Sequence, residues 1–588
     1  MANPSRRPRR PLEPVKPRRP DIGLRRRLLL MALVGAFVLL GAGVFYRQVV
    51  ETDFLQTEGE RRYLRVAEIA ARRGMISDRN GEPLAVSTPV ETVWADPRKL
   101  VERLDVLPEL AASLDLDPQA LRERVLAKSD RGFIYLKRRV DFDEARAVRE
   151  LIARERLGGV DFETEYRRFY PGAEVFGHVI GFTDIEDRGQ EGIEFAYDAQ
   201  LQSEPGLRRV IRDGRKRIVQ EVEQLRPPRQ GTDLVLSLDR RLQFLAYREL
   251  LAAVREHKAV GGTLVALDVD TGEVLAMVNQ PGYNPNALRD GGSERRRNRC
   301  VTDVIEPGST VKPLVVAAAL ERGLITPTTE IDTEPGYFRV GRNLVRDVHD
   351  YGLLDVTGVI AKSSNVGVVK IAQMMEYADL WSLYDHLGFG RVTGVGFPGE
   401  SPGNLRHYSD WRVFEHATLA FGYGLSVTTL QLAQAYAALA ADGIKRPVTL
   451  LRREPGAAVP GTRVLSAETA RMVRAMMEQV VSEKGTARRA AIAGYRVAGK
   501  TGTAKKAGPN GYAGRRYQAV FAGFAPVDRP RLVMVVMIDE PGGKSYYGGV
   551  VAAPVFQKVM EGALRLFNVP PDNPPPSMLL SGRGGLGL

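Results

Sequence analysis

The sequence predicts an α+β domain, an antiparallel sheet with a helical subdomain, carried on a membrane-proximal module behind one N-terminal transmembrane helix. Three observations predict it. Apolar runs that read as strands bracket the domain: "GGTLVALDV" and "EVLAMVN" flank the turn "DTG" near its start, and "YQAVFAGFAP" and "RLVMVVMID" flank "VDRP" near its end. Between them, residues 305–490 read largely as helices, as in "TTLQLAQAYAALAADGI" with its terminal Gly443. Strands at both ends and helices between imply a sheet completed late in the chain. The third observation is the uncharged run at residues 28–46.

That run, "LLLMALVGAFVLLGAGVFY", has nineteen residues, and at about 1.5 Å each it crosses the hydrocarbon layer of a bilayer. The small residues "GAG" at 41–43 are compatible with signal cleavage, but the run is longer than a signal core, so a retained anchor is expected. Residues 1–27 before it hold ten Arg or Lys against Glu13 and Asp21. The positive-inside rule keeps such a tail cytoplasmic and sends the remainder across. The tail accounts for eight of the thirteen net positive charges, so the basic balance reflects membrane orientation and gives no reason to expect a nucleic-acid partner.

Residues 47–230 mix short apolar runs, many arginines and turn signals such as Asn80-Gly81 in "RGMISDRNGEPLAVS", and read as a separate membrane-proximal module. The proline-rich "EQLRPPRQGTD" at 223–233 marks its end. The main domain then runs from 231 to 566, and residues 567–588 read as a disordered tail. With Cys300 alone, no intramolecular disulfide can form. The six histidines show no metal-ligand spacing, so neither a metal nor another cofactor is expected.

Chemistry concentrates in three short segments. In "IEPGSTVKPLVV", Pro313 fixes the start of a helix, because proline fits only its first turn. Ser309 then lies at the helix N-terminus, with Lys312 three residues on and on the same face. The second segment, "KSSNVG" at 362–367, supplies Ser363 and Asn365 at a helix junction, and the third, "KTGT" at 500–503, reads as a strand. Only Ser309 among the serines has Lys at i+3, and only Ser363 has Asn at i+2.

Acyl transfer from a peptide needs a hydroxyl nucleophile, a base, donors for an oxyanion and an anchor for substrate. Ser309 is the expected nucleophile and a neutral Lys312 its base, with Lys500 as the nearby cation that lowers the proton affinity of Lys312. Ser363 relays a proton to the leaving amine, and Asn365 hydrogen-bonds the substrate amide. The strand of Lys500, Thr501, Gly502 and Thr503 pairs with an extended peptide, with the missing Cβ of Gly502 permitting close approach. Backbone N–H groups of Ser309 and Thr503 form the expected oxyanion hole.

A Ser-x-x-Lys, a Ser-x-Asn and a Lys-Thr-Gly in this order are a known signature, and the sequence resembles the class B penicillin-binding proteins of the cell-division type. The resemblance runs from the span to about residue 566. It rests on "RGMISDRNGEPLAVS", "EPGSTVKP", "KSSNVGV", "FGYGLSVTTLQLA", "GKTGTAKK" and "YYGGVVAAPVF". Ser364 fills the middle position of the Ser-x-Asn element, where β-lactamases carry Asp and class B members commonly carry Ser. The resemblance implies a peptidoglycan D,D-transpeptidase, with β-lactams acylating the same serine. It also implies an inner-membrane protein with a periplasmic catalytic domain at the division septum. Its implied partners are stem peptides, lipid-linked precursor strands, a cell-division glycosyltransferase and other divisome proteins. An elongation-specific homologue, a β-lactam sensor or β-lactamase, and a non-catalytic scaffold are the competing readings.

Overall fold

The computed structural model describes residues 22–52, 54, 64–212, 218–288, 292–506, 511, 512 and 514–574. They form two compact units. The first comprises the described residues within 1–69 and 205–227, and the second those within 70–204 and 228–588. In the first unit, helix α1 (Ile22–Phe45) carries no charge after Arg27, and its apolar side chains are exposed around the whole circumference, as a lipid-facing helix requires. The basic residues before position 22 lie outside the described residues. The same unit holds an antiparallel sheet of Leu64–Ile69, Gly206–Arg212 and Ile218–Arg226, with Gly206–Arg212 in the centre.

The second unit begins with the rest of the membrane-proximal stretch. Three antiparallel strands, Pro83–Ala95, Ile134–Val140 and Val160–Phe169, pack with short helices around a small core of their own that includes Val93, Leu110, Val125 and Val148. A second, larger core draws on both sides of residue 230. Ile76, Leu84, Phe176, Val179, Ile193 and Leu201 from the earlier stretch are buried in the same hydrophobic core as the main domain. A buried ion triad lies within the earlier stretch: Glu194 accepts from Arg73 Nε at 2.8 Å and from Arg168 Nε at 2.6 Å, and all three side chains are at most 1% exposed. Charges removed from water this completely persist only when paired, and pairing ties 73, 168 and 194 into one cluster.

The main domain is built on one sheet. Its elements are helix α2 (Arg240–Glu256), strands β1 (Gly261–Asp268) and β2 (Val274–Gln280), and helices α3 (Lys312–Glu321), α4 (Val356–Lys362), α5 (Asn365–Ala372) and α6 (Thr429–Ala440). Strands β3 (Ala498–Lys505), β4 (Tyr517–Ala525) and β5 (Leu532–Asp539) follow, and helix α7 (Ala553–Leu566) ends it. The strand order is β2-β1-β5-β4-β3, antiparallel throughout. The chain thus starts the sheet at β1 and β2 and returns to complete it at β3 to β5. Helices α2 and α7 cover one face and α6 the other, which is why every residue of β1 and β5 is buried and their sequences run apolar without alternation.

Two expected features differ in detail. Ser309 occupies a 3₁₀ turn, Gly308–Val311, and α3 starts at Lys312 with Pro313 in its first turn. The tail expected to be disordered from 567 stays attached through 573: Tyr495 OH donates to Val569 O at 2.7 Å, and Asp572 accepts from Arg496 N and Val527 N at 2.8 and 3.2 Å. Pairing of Asp572 with two backbone N–H groups holds a proline-rich stretch that composition alone reads as loose. Residues 575–588 lie outside the described residues.

Candidate active site

The site lies where β3, the edge strand, meets the turn that carries Ser309. Lys312 N–H donates to Ser309 O, so the two side chains leave the same side of the turn. Ser309 is half-buried, whereas Lys312 and Lys500 are wholly buried. The junction between α4 and α5 delivers Ser363, whose left-handed backbone (φ 62°) ends α4 one residue before Ser364 caps α5 by accepting from Gly367 N at 2.8 Å.

These segments converge on two ammonium groups. Lys312 Nζ lies 2.5 Å from Ser363 O, 3.3 Å from Ser363 Oγ and 2.7 Å from Asn365 Oδ1. Lys500 Nζ lies 2.9 Å from Ser363 Oγ and 3.1 Å from Thr501 O. Burial pushes the Lys312 ammonium down to about 7, with Asp347 opposing the fall. Burial, and then the neighbouring Lys312, push Lys500 well below its ordinary value. Lys500 is just as buried as Lys312, and no carboxylate is among the causes that act on its shift.

Asn365 Nδ2 donates to Arg346 O at 2.8 Å, which leaves one of its two N–H groups free to meet a substrate carbonyl. At Gly502 a Cβ would stand 2.9 Å from Pro307 O and 2.9 Å from Thr310 Cγ2, so the bare backbone lets β3 pack on the Ser309 turn. Thr501 Oγ1 shares a hydrogen bond with Thr486 Oγ1 at 3.0 Å, and Thr503 Oγ1 accepts from Gly548 N at 3.2 Å.

Three groups not singled out from sequence position the site. Asp347 accepts from Ser364 Oγ at 2.5 Å, from Val366 N at 3.0 Å and from Asn365 N, clamping the start of α5. Tyr436 OH, from α6, donates to Thr310 O at 2.7 Å and pins the turn from below. Glu306 accepts from Gly424 N at 3.0 Å and from Tyr512 OH at 2.7 Å. Gly422 completes the support: Gly308 N donates to its carbonyl at 3.1 Å, and a Cβ on Gly422 would lie 2.1 Å from Gly308 O. Glu306 could have been found from its place beside Pro307-Gly308; Asp347 and Tyr436 have no local signal. Among the described residues no group of His, Cys, Asp and Glu could hold a metal ion.

Comparison with known proteins agrees with this architecture. Residues 262–561 match the penicillin-binding protein transpeptidase domain, and residues 68–236 match the penicillin-binding protein dimerisation domain. The chain is 43% identical over 550 residues to the peptidoglycan D,D-transpeptidase FtsI of Escherichia coli K12, covering 93% of this chain and 92% of the relative. It is 42% identical to the probable peptidoglycan D,D-transpeptidase PenA of Neisseria meningitidis, covering 93% of each chain. The solved transpeptidase domain of Burkholderia pseudomallei penicillin-binding protein 3 is 44% identical with a TM-score of 0.54, covering 58% of this chain and 98% of that one. With a transpeptidase domain over half the chain and near full-length relatives above 40% identity, the chain belongs to the class B penicillin-binding proteins.

Proposed function

We propose that the chain is a peptidoglycan D,D-transpeptidase in which Ser309 forms an acyl-enzyme with a stem peptide. The observation that carries this reading is the pair of buried lysines meeting at the Ser363 hydroxyl beside the Ser309 turn. Ser309 Oγ attacks the penultimate D-Ala carbonyl, and neutral Lys312 accepts its proton. The N–H groups of Ser309 and Thr503 hold the oxyanion while β3 aligns the peptide and Asn365 meets a substrate amide. Lys500 and Ser363 return the proton to the departing D-Ala amine. The amine of a neighbouring stem then attacks the ester, releases Ser309 and forms the cross-link; a β-lactam stops at the ester.

The reading extends to place and partners. Similarity to cell-division relatives and the one long apolar helix among the described residues support a single-pass inner-membrane protein acting at the septum with a glycosyltransferase and other divisome proteins. A fluorescent fusion should gather at midcell; an even sidewall pattern contradicts the septal assignment and favours the elongation-specific one. For the chemistry, detergent-purified full chain is incubated with a stem pentapeptide ending in D-Ala-D-Ala and an amine acceptor. Release of one D-Ala per cross-link is expected, and release without any ester on Ser309 contradicts the mechanism.

A further inference from the structure

A groove of about 750 Å³ opens in the main domain without sharing a lining residue with the Ser309 site, and its size is ordinary for a small-molecule site. Ile444, Phe567 and Val569 give it apolar walls, and Pro526, Pro530, Pro570 and Pro571 line much of the rest. Proline has no N–H to donate. An extended peptide, which is held by backbone pairing, therefore finds few partners here. Such walls favour a body that needs no hydrogen bonds, such as an alkyl chain.

Charge at the rim is unevenly used. The acids are all engaged: Asp270 pairs with Arg531, Asp442 with Arg474 and Asp528 with Arg496. Asp572 accepts from the backbone N–H groups of Arg496 and Val527 at 2.8 and 3.2 Å. Two lining arginines have no carboxylate partner among the described residues. Arg446 donates to Val269 O at 3.2 Å, and Arg529 is exposed with no side-chain hydrogen bond or ion pair. The charge left for a ligand is thus positive, and a guanidinium matches a carboxylate in shape as well as charge.

We propose that this groove binds a fatty carboxylate, with its alkyl chain against Ile444 and Phe567 and its carboxylate met by Arg529. Arg446 adds to the positive field at that end.

The full chain in lipid nanodiscs tests it with two probes, decanoic acid and decylamine, each carrying a photoreactive diazirine on its chain. Labelling of α1 by each probe corrects for its concentration in the lipid. After that correction the acid should label peptides containing Ile444 or Phe567 about ten-fold or more above the amine, the span expected of a charge-assisted hydrogen bond. Labelling should saturate, and unlabelled decanoate should suppress it. Arg529→Glu should remove most of it and Arg529→Lys should keep it, with penicillin acylation of Ser309 unchanged in both. Equal labelling by acid and amine overturns the proposal, as do label confined to α1 and groove labelling indifferent to Arg529→Glu. A leucine-rich peptide with a free carboxylate that displaces the acid more strongly than decanoate does also overturns it, because the occupant is then a peptide.

Discussion

Lys312 and Lys500 meet on one hydroxyl: Ser363 Oγ lies 3.3 Å from the first ammonium nitrogen and 2.9 Å from the second. Two like charges, both stripped of water, cannot comfortably hold their protons together. In the proposed mechanism the pair takes up the proton that Ser309 gives away.

Acylation should consequently rise with pH through about 7, the value to which burial brings Lys312. The sign for stability is the same. Between about 7 and the ordinary 10.5 the unfolded chain binds the extra proton, so stability climbs across that window, while below 7 the burial cost is fully present. Penicillin acylation rates and melting temperatures measured from pH 5 to 10 check both; a flat acylation profile contradicts the assignment. Lys312→Arg keeps a charge that cannot be shed and should slow acylation by about 100-fold or more. Lys500→Arg is expected to fare little better, because that side chain is just as buried.

Asp347 bears on the same titration. Its carboxylate opposes the fall in Lys312 and clamps Asn365, which in turn holds Lys312. Asp347→Asn should shift the rising limb to lower pH and slow acylation by about 10-fold or more at every pH. Loss of buried hydrogen bonds to the carboxylate should also cost about 1–3 kcal/mol of stability. A stability loss with no movement of the limb identifies Asp347 as purely structural.

The two glycines around the nucleophile turn should differ. Gly422→Ala places a Cβ against the Gly308 backbone at a positive φ of 86°, where nothing flexible can yield, so a large fall in melting temperature is expected. Gly502→Ala meets the Thr310 side chain as well as Pro307 O. It should fold with about 1–3 kcal/mol less stability and acylate more slowly, because β3 is pushed off the turn. Equal melting temperatures for the two variants contradict this packing.

How much of this was legible in the sequence follows contact distance. The strands of the sheet and the spacings around Ser309, Ser363 and Lys500 are local patterns, and the structure gathers those segments in one place. The clamp by Asp347 and the support from Tyr436 join positions many residues apart, and no spacing signals them. Gly502 shows the converse case: the need for a glycine is visible, but its neighbour is the protein's own turn. The Arg73–Glu194–Arg168 triad joins three segments far apart in sequence, and only the structure shows that these charges are buried and paired.

That triad makes a stability prediction. Glu194→Gln removes the charge that faces two buried guanidinium groups, and such a loss costs about 3–5 kcal/mol. The variant should melt far below wild type while any folded fraction still acylates at the normal rate. A variant that melts like wild type shows that the triad contributes nothing to stability.

The most direct test concerns Ser309. Purified wild-type chain and Ser309→Ala are incubated with a fluorescent penicillin, resolved on a denaturing gel and weighed intact. Ser309 lies inside the 3₁₀ turn and caps no helix, so both should melt at similar temperatures. Wild type should gain one drug mass, carried on the peptide that contains Ser309, and the alanine variant none. Labelling that persists in folded Ser309→Ala, or that maps to Ser363, contradicts the account.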